Sequence, residues 1–280
     1  MVPMKAPFLG LCLGALVAFG TVCARGHGDD HLLIDALTEE LTKKPEADLF
    51  IRRGELYRHH QEWAKAEADF IAAARLDPKL TTLDFFRARL WLEAGEPAKA
   101  QPLVDRFVGS APHEPEGWFL RGEILAALGR PEAGAAAYAE GIKRAPTPRP
   151  EHFLRCAKLL ANAPGADPAK VLAALDDGIA RIGPVISLVD YALKLELERK
   201  NYAAALTRID AAMESSPRRE AWLGRRGDIL VQLGRPNEAI TAYRAALSEI
   251  DALPERYRTT VPVEKLARDA LTSLQRISSN

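Results

Sequence analysis

The stretch Ala47–Pro78, ADLFIRRGELYRHHQEWAKAEADFIAAARLDP, predicts two short amphipathic helices joined by a tight turn. Small residues at fixed places allow two helix backbones to approach each other, and large residues fill the space on either side. A proline closes the segment, because proline cannot continue a helix. The stretch therefore reads as one helix–turn–helix unit, and the positions that define it are Phe50, Gly54, Tyr57, Ala66, Phe70, Ala73 and Pro78.

The same unit recurs along most of the chain. A proline ends each copy, and the spacings between these prolines are 33, 34, 34, 38 and 33 residues. Three copies share a turn in which glycine is followed two residues later by proline. Glycine suits the left-handed turn at a helix C-terminus, and proline suits the first position of the next helix. The closing prolines are Pro45, Pro78, Pro112, Pro146, Pro184 and Pro217, and the turn glycines are Gly95, Gly129 and Gly234.

This pattern resembles the tetratricopeptide repeat, W-x2-L-G-x2-Y followed by A-x3-F and a proline, with a period of 34 residues. The copy that follows the pattern most closely carries Trp118, Gly122, Gly134, Tyr138 and Pro146. The resemblance extends over residues 30–277 and implies an all-α fold. It implies a right-handed α-solenoid of about six helix–turn–helix repeats with capping helices at both ends.

The sequence departs from the family at one recurrent position. Arginine stands before the small residue of the first helix, where leucine is commoner in the family. Long arginine stems can cover apolar surface while their charged ends reach water, so we expect the fold to tolerate this change. The arginines are Arg53, Arg87, Arg121 and Arg226.

The N-terminus has the features of a secretory signal peptide. Lys5 precedes the apolar run Ala6–Val22, and Val22-Cys23-Ala24 offers small residues for cleavage after Ala24. An uncleaved anchor helix and a lipoprotein acylated at Cys23 are the alternatives. Cleavage would leave Cys156 as the one cysteine, which we expect to be a buried apolar filler. We therefore expect export, to a bacterial periplasm or cell envelope.

The repeat pattern also gives the domain boundaries. We expect residues 1–24 to be the signal peptide and residues 25–46 a tail with a capping helix at His31–Leu41. The repeat array then occupies residues 47–251. Residues 252–280 would form a linker and a C-terminal capping helix at Val263–Ile277.

Composition and motifs favour a binding protein over an enzyme. Lys+Arg and Asp+Glu are both 38, and this balance lacks the basic surface that nucleic acid requires. The sequence contains no metal-protease, Cys-x-x-Cys, phosphate-loop or Gly-x-Ser-x-Gly motif. We therefore expect no catalysis, no cofactor, no nucleic acid, and membrane contact only through an uncleaved signal segment.

A metal site at the mature N-terminus is the alternative function. Cleavage after Ala24 would expose Arg25-Gly26-His27, in which a free amine, two amides and an imidazole suit square-planar Cu(II) or Ni(II). His31 adds a ligand nearby. This interpretation would make the chain an envelope metal-handling protein. The simpler interpretation is a flexible polar start before a helix.

The resemblance also implies where a partner would bind. Proteins of this family use the first helices of successive repeats to line a groove for peptides or proteins. Two columns of this sequence map onto that surface. The first, apolar column is Ile51, Phe85, Phe119 and Leu154, and the second, charged column is Glu55, Arg89, Glu123 and Lys158. The apolar column continues at Asp190, where we expect the surface to become polar, and at Gly224, where we expect it to open.

Each column also has an ordinary structural interpretation. Phe85 and Phe119 could be buried between repeats, and the alternating charges of the second column could pair between neighbours. The family's clamp for chaperone C-termini needs Lys and Asn in these columns, so that class of partner is disfavoured. We expect an exported, non-enzymatic scaffold or adaptor that binds a protein or peptide. The oligomeric state stays open.

Overall fold

The computed structural model describes residues 27–279, with side chains from residue 30 onward. The predicted signal peptide at residues 1–24 and the pair Arg25-Gly26 lie outside the described residues. The described part contains fifteen α-helices and no β-strand, which confirms the all-α prediction. None of these helices combines the length and the apolar character needed to cross a bilayer. The described part of the chain divides into two compact units, unit 1 at residues 27–110 and unit 2 at residues 111–279.

Five helices make up the described part of unit 1. The first precedes the repeats, and the other four form two helix pairs. They are α1 (His27–Lys43), α2 (Ala47–His59), α3 (Trp63–Leu76), α4 (Thr82–Glu93) and α5 (Pro97–Ser110).

Unit 2 contains ten helices, which form four helix pairs followed by a C-terminal segment. The pairs are α6 (Pro115–Ala127) with α7 (Pro131–Arg144), α8 (Pro150–Ala161) with α9 (Pro168–Ile182), α10 (Ile186–Glu198) with α11 (Tyr202–Ser215), and α12 (Glu220–Gln232) with α13 (Pro236–Asp251). The segment contains α14 (Glu255–Arg258) and α15 (Val261–Ser278).

Within each unit, consecutive helices of the pairs pack against each other. The first helices of neighbouring pairs also touch, α2 with α4 in unit 1 and α8 with α10 in unit 2. A helix that contacts both members of the preceding pair buries an apolar face that one pair alone would leave in water. Stacked helix pairs of this kind are the repeat architecture that the sequence predicts.

The predicted glycine turn is present in all three copies. Gly95, Gly129 and Gly234 have φ angles of +77°, +72° and +67°, in the left-handed region that glycine adopts without steric cost. Each lies just after a first helix, and the proline two residues later is the first residue of the next helix. The periodic Gly-x-Pro signal therefore predicts these helix boundaries correctly.

Two other repeats make the same turn without glycine. Gln61 has a φ of +58° and Lys200 a φ of +56°. Both lie between a first and a second helix, at the place that glycine takes in the three glycine turns. The backbone of this turn is thus a property of the repeat, and these two residues adopt a conformation that costs free energy for a side chain with a Cβ.

Close helix contacts use the small residues that the sequence singles out. A Cβ at Gly54 would lie 2.7 Å from Cε1 of Phe70, and one at Gly122 would lie 2.5 Å from Cδ2 of Tyr138. Each glycine is in a first helix, and the ring comes from the second helix of the same pair. The rings therefore fill the space that the missing side chains leave, as the repeat pattern predicts.

The recurrent arginines differ from expectation. Nε and Nη2 of Arg53 donate to the two carboxylate oxygens of Asp69 at 2.8 and 2.7 Å. The exposed fractions of the two side chains are 16% and 6%. Nε of Arg87 donates to Glu67 at 3.0 Å. The expectation that these charged ends reach water is wrong for Arg53, because a buried carboxylate on the second helix binds its guanidinium.

Helices outside the pairs cover the ends of the array. Helix α1 buries Ile34, Leu37 and Leu41 and packs on α2, so it is longer than the predicted cap but has the same role. Helix α15 packs on α13 and α12. A Cβ at Gly224 would lie 3.0 Å from Cδ1 of Leu266, so α15 covers the position where we expected the apolar column to open.

Candidate functional site

The candidate residues lie on the first helices, as predicted. We call Ile51, Glu55, Phe85 and Arg89 the first-helix face of unit 1, on α2 and α4. We call Phe119, Glu123, Leu154 and Lys158 the first-helix face of unit 2, on α6 and α8. Lys158 is exposed and the other seven are half-buried.

Charged side chains on α2 and α4 form one network in unit 1. Glu55 pairs with Arg89, as the alternating charges of the column predict. The network also includes Arg58, whose side chain is 8% exposed. Its Nε donates to Glu55 at 3.0 Å, and its Nη1 donates to Glu93. Two arginines and two glutamates thus neutralise each other, which a buried charge requires. Sequence reasoning missed Arg58 and Glu93.

Arg89 lies against the aromatic part of the same face. Its guanidinium carbon is 5.8 Å from the ring centroid of Phe85 and 5.9 Å from that of Phe86. Burial lowers the pKa of Arg89 below its ordinary value, although the Glu55 carboxylate opposes this. Its Nε is buried and has no acceptor among the described residues. Arg89 is therefore held in place by both a carboxylate and two rings.

The apolar members of the unit 1 face also take part in helix packing. The Phe85 ring lies 5.2 Å from the Phe107 ring on α5 and 6.0 Å from the Phe86 ring. Ile51 packs against the buried cluster that contains Phe70 and Leu83. Both residues nevertheless remain half-buried, so part of each side chain stays available on the surface.

Phe119 in unit 2 is packed from two sides. Its ring centroid lies 5.4 Å from that of Tyr138 on α7 and 3.9 Å from that of His152 on α8. A Cβ at Gly141 would lie 2.5 Å from its Cε1 atom. Phe119 thus joins its own helix pair to the next one. Phe119 and Leu154 both pack against the buried cluster that contains Tyr138 and Phe153.

Glu123 binds Tyr138, which the repeat pattern names only as a packing residue, and Arg155, which the sequence did not single out. It accepts hydrogen bonds from the Tyr138 hydroxyl and from Nε of Arg155, the latter at 2.9 Å. Arg155, rather than Lys158 in the predicted column, is therefore its cationic partner. Burial raises the pKa of Tyr138, and the hydrogen bond to the Glu123 carboxylate adds to this effect.

The acid–tyrosine contact recurs in the last pair. The Tyr243 hydroxyl donates to Asp228 at 2.7 Å, and the separation in sequence is again 15 residues. Burial and this carboxylate raise the pKa of Tyr243 to about 12. An acidic residue 15 positions before a second-helix tyrosine is thus the sequence signal that could have predicted both contacts.

An open concavity of about 420 Å³ lies in unit 1, where α2 ends, α3 begins and α4 ends. Its lining residues are Arg58, His59, Gln61, Trp63 and Glu93, and we call it the Trp63 concavity. It adjoins the charged network through Arg58 and Glu93. Its size falls within the range of about 300–1,000 Å³ that is usual for small-ligand pockets.

Unit 2 has a smaller concavity of about 210 Å³ beside Cys156. The Cys156 thiol is buried and lies 3.5 Å from the carbonyl oxygen of Ala135. Burial raises the pKa of Cys156 to about 11, and the Asp177 charge adds to the shift. Since the thiolate is the reactive form, this cysteine is a buried filler as predicted.

The described residues give the predicted metal site no support. The side chain of His27 lies outside the described residues, although α1 begins at this residue. The ring of His31 stacks on that of His60 with centroids 4.8 Å apart, and Nε2 of His60 lies 3.5 Å from Asp30. Within residues 30–279, no group of three or more His, Cys, Asp or Glu side chains could hold a metal ion.

Comparison with known families agrees with the geometry. The Tetratricopeptide repeat model matches residues 87–147, and the Tetratricopeptide repeat-like domain model matches residues 191–268. A search of curated proteins finds no match.

Two solved structures show the same fold. A tetratricopeptide repeat protein from Parabacteroides merdae is 17% identical to this chain with a TM-score of 0.50, and the match covers 87% of this chain and 93% of the Parabacteroides chain. The C-terminal part of a TPR repeat-containing protein from Cytophaga hutchinsonii is 14% identical with a TM-score of 0.51, covering 82% and 96%. At these identities the likeness concerns the fold alone. The two family matches and the small-to-large contacts inside the helix pairs identify residues 87–147 as tetratricopeptide repeat sequence and residues 191–268 as a tetratricopeptide repeat-like domain.

Proposed function

We propose that this chain is a non-enzymatic scaffold or adaptor that binds a protein or peptide on its first-helix faces. The observation that carries the proposal is the Trp63 concavity, which is open, partly aromatic and adjacent to the charged network of α2 and α4. Fixed charges beside an accessible ring offer both orientation and apolar contact to an incoming side chain.

The half-buried rings add apolar surface to each face separately, Phe85 in unit 1 and Phe119 in unit 2. Phe85 and Phe119 are held by neighbouring rings, so they would lose little conformational entropy when a partner covers them. Burying their remaining surface would contribute at about 25 cal/mol per Å² before the costs of ordering the partner. Pre-organised aromatic side chains of this kind are common anchors in protein interfaces.

Site-specific photo-crosslinking tests the binding face without disturbing the packed rings. A photo-reactive residue replaces His59 on α2 or Lys158 on α8, both exposed on first helices. Matched controls replace Arg75 on α3 or Lys170 on α9, which are exposed on second helices. Crosslinking is carried out in the envelope fraction of the source cells.

We expect one discrete partner to be linked from the first-helix positions and not from the second-helix positions. Linkage that is equal at all four positions, or confined to the second helices, would contradict the proposed face.

Export is the second part of the proposal. We propose that residues 1–24 are a signal peptide and that the mature chain begins at Arg25 in the periplasm or cell envelope. The support is the sequence pattern of Lys5, the apolar run and Val22-Cys23-Ala24. Intact-mass measurement of protein isolated from cells tests this. A chain that retains Met1–Ala24 would instead be anchored or unprocessed.

A further inference from the structure

We infer that the Trp63 concavity binds a cationic side chain, the ammonium of lysine or the guanidinium of arginine, from a basic segment of the partner. The identity of the partner segment rests on the proposed function. The preference of the concavity for a cation rests on the structure of unit 1 alone.

Tryptophan rings in this protein are sites for cations. Nζ of Lys99 lies 4.5 Å from the Trp91 ring centroid, and the guanidinium carbon of Arg144 lies 4.5 Å from that of Trp118. The guanidinium carbon of Arg225 lies 5.1 Å from the Trp222 ring. The quadrupole of an indole ring attracts a positive charge held over its face.

Trp63 is the exception among the four tryptophans. Within residues 30–279 the structure places no cation over its ring, and the nearby Lys65 lies instead over Tyr57 at 5.2 Å. The ring lines an open concavity, so a cation from outside the chain can reach it. Trp63 thus offers to a partner the contact that the other three tryptophans already make internally.

Glu93 supplies a negative charge in the same concavity. Its side chain is 38% exposed, and only Oε2 accepts a hydrogen bond, from Arg58, among the described residues. The other carboxylate oxygen can therefore accept a hydrogen bond from an ammonium or guanidinium group. A carboxylate and an indole ring that line the same concavity are two features that stabilise a cation.

Arg58 does not make the concavity a site for anions. Its side chain is 8% exposed, and it donates to Glu55 and Glu93. With Arg89 paired to Glu55, the network of two arginines and two glutamates has no net charge. An incoming anion would have to displace the Glu55 or Glu93 carboxylate from the buried Arg58 guanidinium, which is costly.

The charge of the surrounding unit favours a basic partner as well. Residues 27–110 contain sixteen Asp and Glu residues against twelve Lys and Arg residues, a formal charge of −4. The whole chain has a formal charge of zero. Residues 27–110 thus carry a net negative charge, which would raise the concentration of a basic segment near this unit.

Titration with single side chains tests the inference on the mature full chain. The probes are Nα-acetyl-lysine amide, its uncharged analogue Nα-acetyl-norleucine amide, and Nα-acetyl-glutamate amide, each at millimolar concentration. The readouts are the NMR signals of the Trp63 indole N–H and of the Gln61 backbone amide, and the second of these is present in the Trp63→Leu variant as well. We expect a saturable shift with the lysine probe, a weaker response to norleucine, and none with glutamate.

Two variants and their matched controls assign the contacts. Glu93→Gln removes the carboxylate charge, and Glu96→Gln is the control on the neighbouring turn. For the ring, Trp63→Leu removes the indole, and Trp91→Leu is the control because Lys99 occupies that ring. We expect Glu93→Gln and Trp63→Leu each to weaken binding of the lysine probe about two- to fivefold, and the controls to have no effect. If Trp63→Leu fails to fold, the affinity of the Glu93→Gln variant for the lysine probe is sufficient to test the inference.

Equal binding of the lysine and norleucine probes, stronger binding of glutamate, or no shift at Trp63 would each overturn the inference. The crosslinking experiment allows a failure of the cation-site inference to be distinguished from a failure of the proposed function. If crosslinking detects a partner and Glu93→Gln binds the lysine probe and the partner as well as wild type does, the inference fails and the function stands. If the lysine probe binds as expected but the first-helix positions link no partner, the cation site stands and the proposed function fails.

Discussion

At the scale of single residues, glycine determines how closely two helices approach. A Cβ at Gly122 would lie 2.5 Å from Cδ2 of Tyr138 and 3.0 Å from the backbone oxygen of Gly134. We expect Gly122→Ala to lower the free energy of unfolding by about 1–3 kcal/mol, because the added methyl group overpacks the contact. Denaturant midpoints measure this. The control is Gly109→Ala, where nothing lies within 4 Å of the added Cβ and stability should stay equal or rise. A Gly122→Ala midpoint equal to that of wild type would show that the two helices can separate freely.

Residues tied to the repeat period could be predicted, and most side-chain pairs could not. Gly122 and its partner ring follow from fixed positions in the repeat. Arg53 binds Asp69, 16 residues later, whereas Arg226 binds Asp210, 16 residues earlier. An arginine at one repeat position can thus reach an acid on its own second helix or on the preceding one, and a linear pattern does not decide between them. The same holds in the candidate site. The alternating charges of the second column predict the Glu55–Arg89 ion pair, but the Glu123 carboxylate pairs with Arg155, which lies outside that column.

At the scale of elements, the turn between the two helices of a repeat can be tested where it lacks glycine. Lys200 has a φ of +56°, whereas Gly129 has +72° in the equivalent turn. We expect Lys200→Gly to raise the free energy of unfolding by about 0.5–1 kcal/mol, since glycine removes the left-handed strain. Gly129→Ala, with nothing within 4 Å of its new Cβ, should destabilise through strain alone. Thermal or denaturant unfolding of both variants measures the two effects. A destabilised Lys200→Gly protein would mean that the lysine side chain contributes more than its backbone costs.

The N-terminal turn of α8 makes stability depend on pH. The Arg149 amide donates to Nδ1 of His152 at 3.3 Å, and the ring stacks on Phe119. Burial lowers the pKa of His152 below its ordinary value of 6.5, and the Arg149 charge adds to this while Glu151 opposes it. The unfolded chain therefore binds a proton at a higher pH than the folded chain does. The contribution of His152 is complete above about pH 6.5 and is lost as the pH falls below that value towards the folded pKa.

We expect the denaturant midpoint to fall between about pH 7.5 and 5.5, and His152→Gln to reduce this dependence. The control is His113→Gln, which alters an exposed histidine and should leave the dependence unchanged. An identical pH profile for His152→Gln and wild type would rule out His152 as the titrating group.

At the scale of the whole molecule, the helix pairs and their period were predictable because each pair repeats one pattern of small, large and chain-breaking residues. The short helix α14, at Glu255–Arg258, falls inside the segment expected to be a linker. A single turn of four residues is too short to show apolar periodicity. The Trp63 concavity was also missed. It combines the ends of α2 and α4 with the start of α3, and its residues share no position in the repeat.

If the mature chain begins at Arg25, as we propose, no disulfide can form within it, since Cys156 is then its one cysteine. Packing alone must then hold the helix pairs together, and we expect the thermal midpoint of this chain to be the same with and without a reductant. Cys156 is buried between helices of unit 2, and the pKa of its thiol is raised to about 11. It should therefore react with a thiol reagent only when the surrounding helix pairs open.

Thiol labelling across a denaturant series, followed beside circular dichroism, measures that opening. Terminal pairs of a repeat array have a neighbour on one side only, whereas the α8–α9 pair lies between two others. We therefore expect labelling of Cys156 to begin no earlier than the main loss of helix. A double variant, Cys156→Ser with Ser248→Cys, places the thiol at an exposed position and should react at once in native buffer. Rapid native labelling of Cys156 would show that the middle of unit 2 opens locally, and that its stability does not depend on the neighbouring pairs.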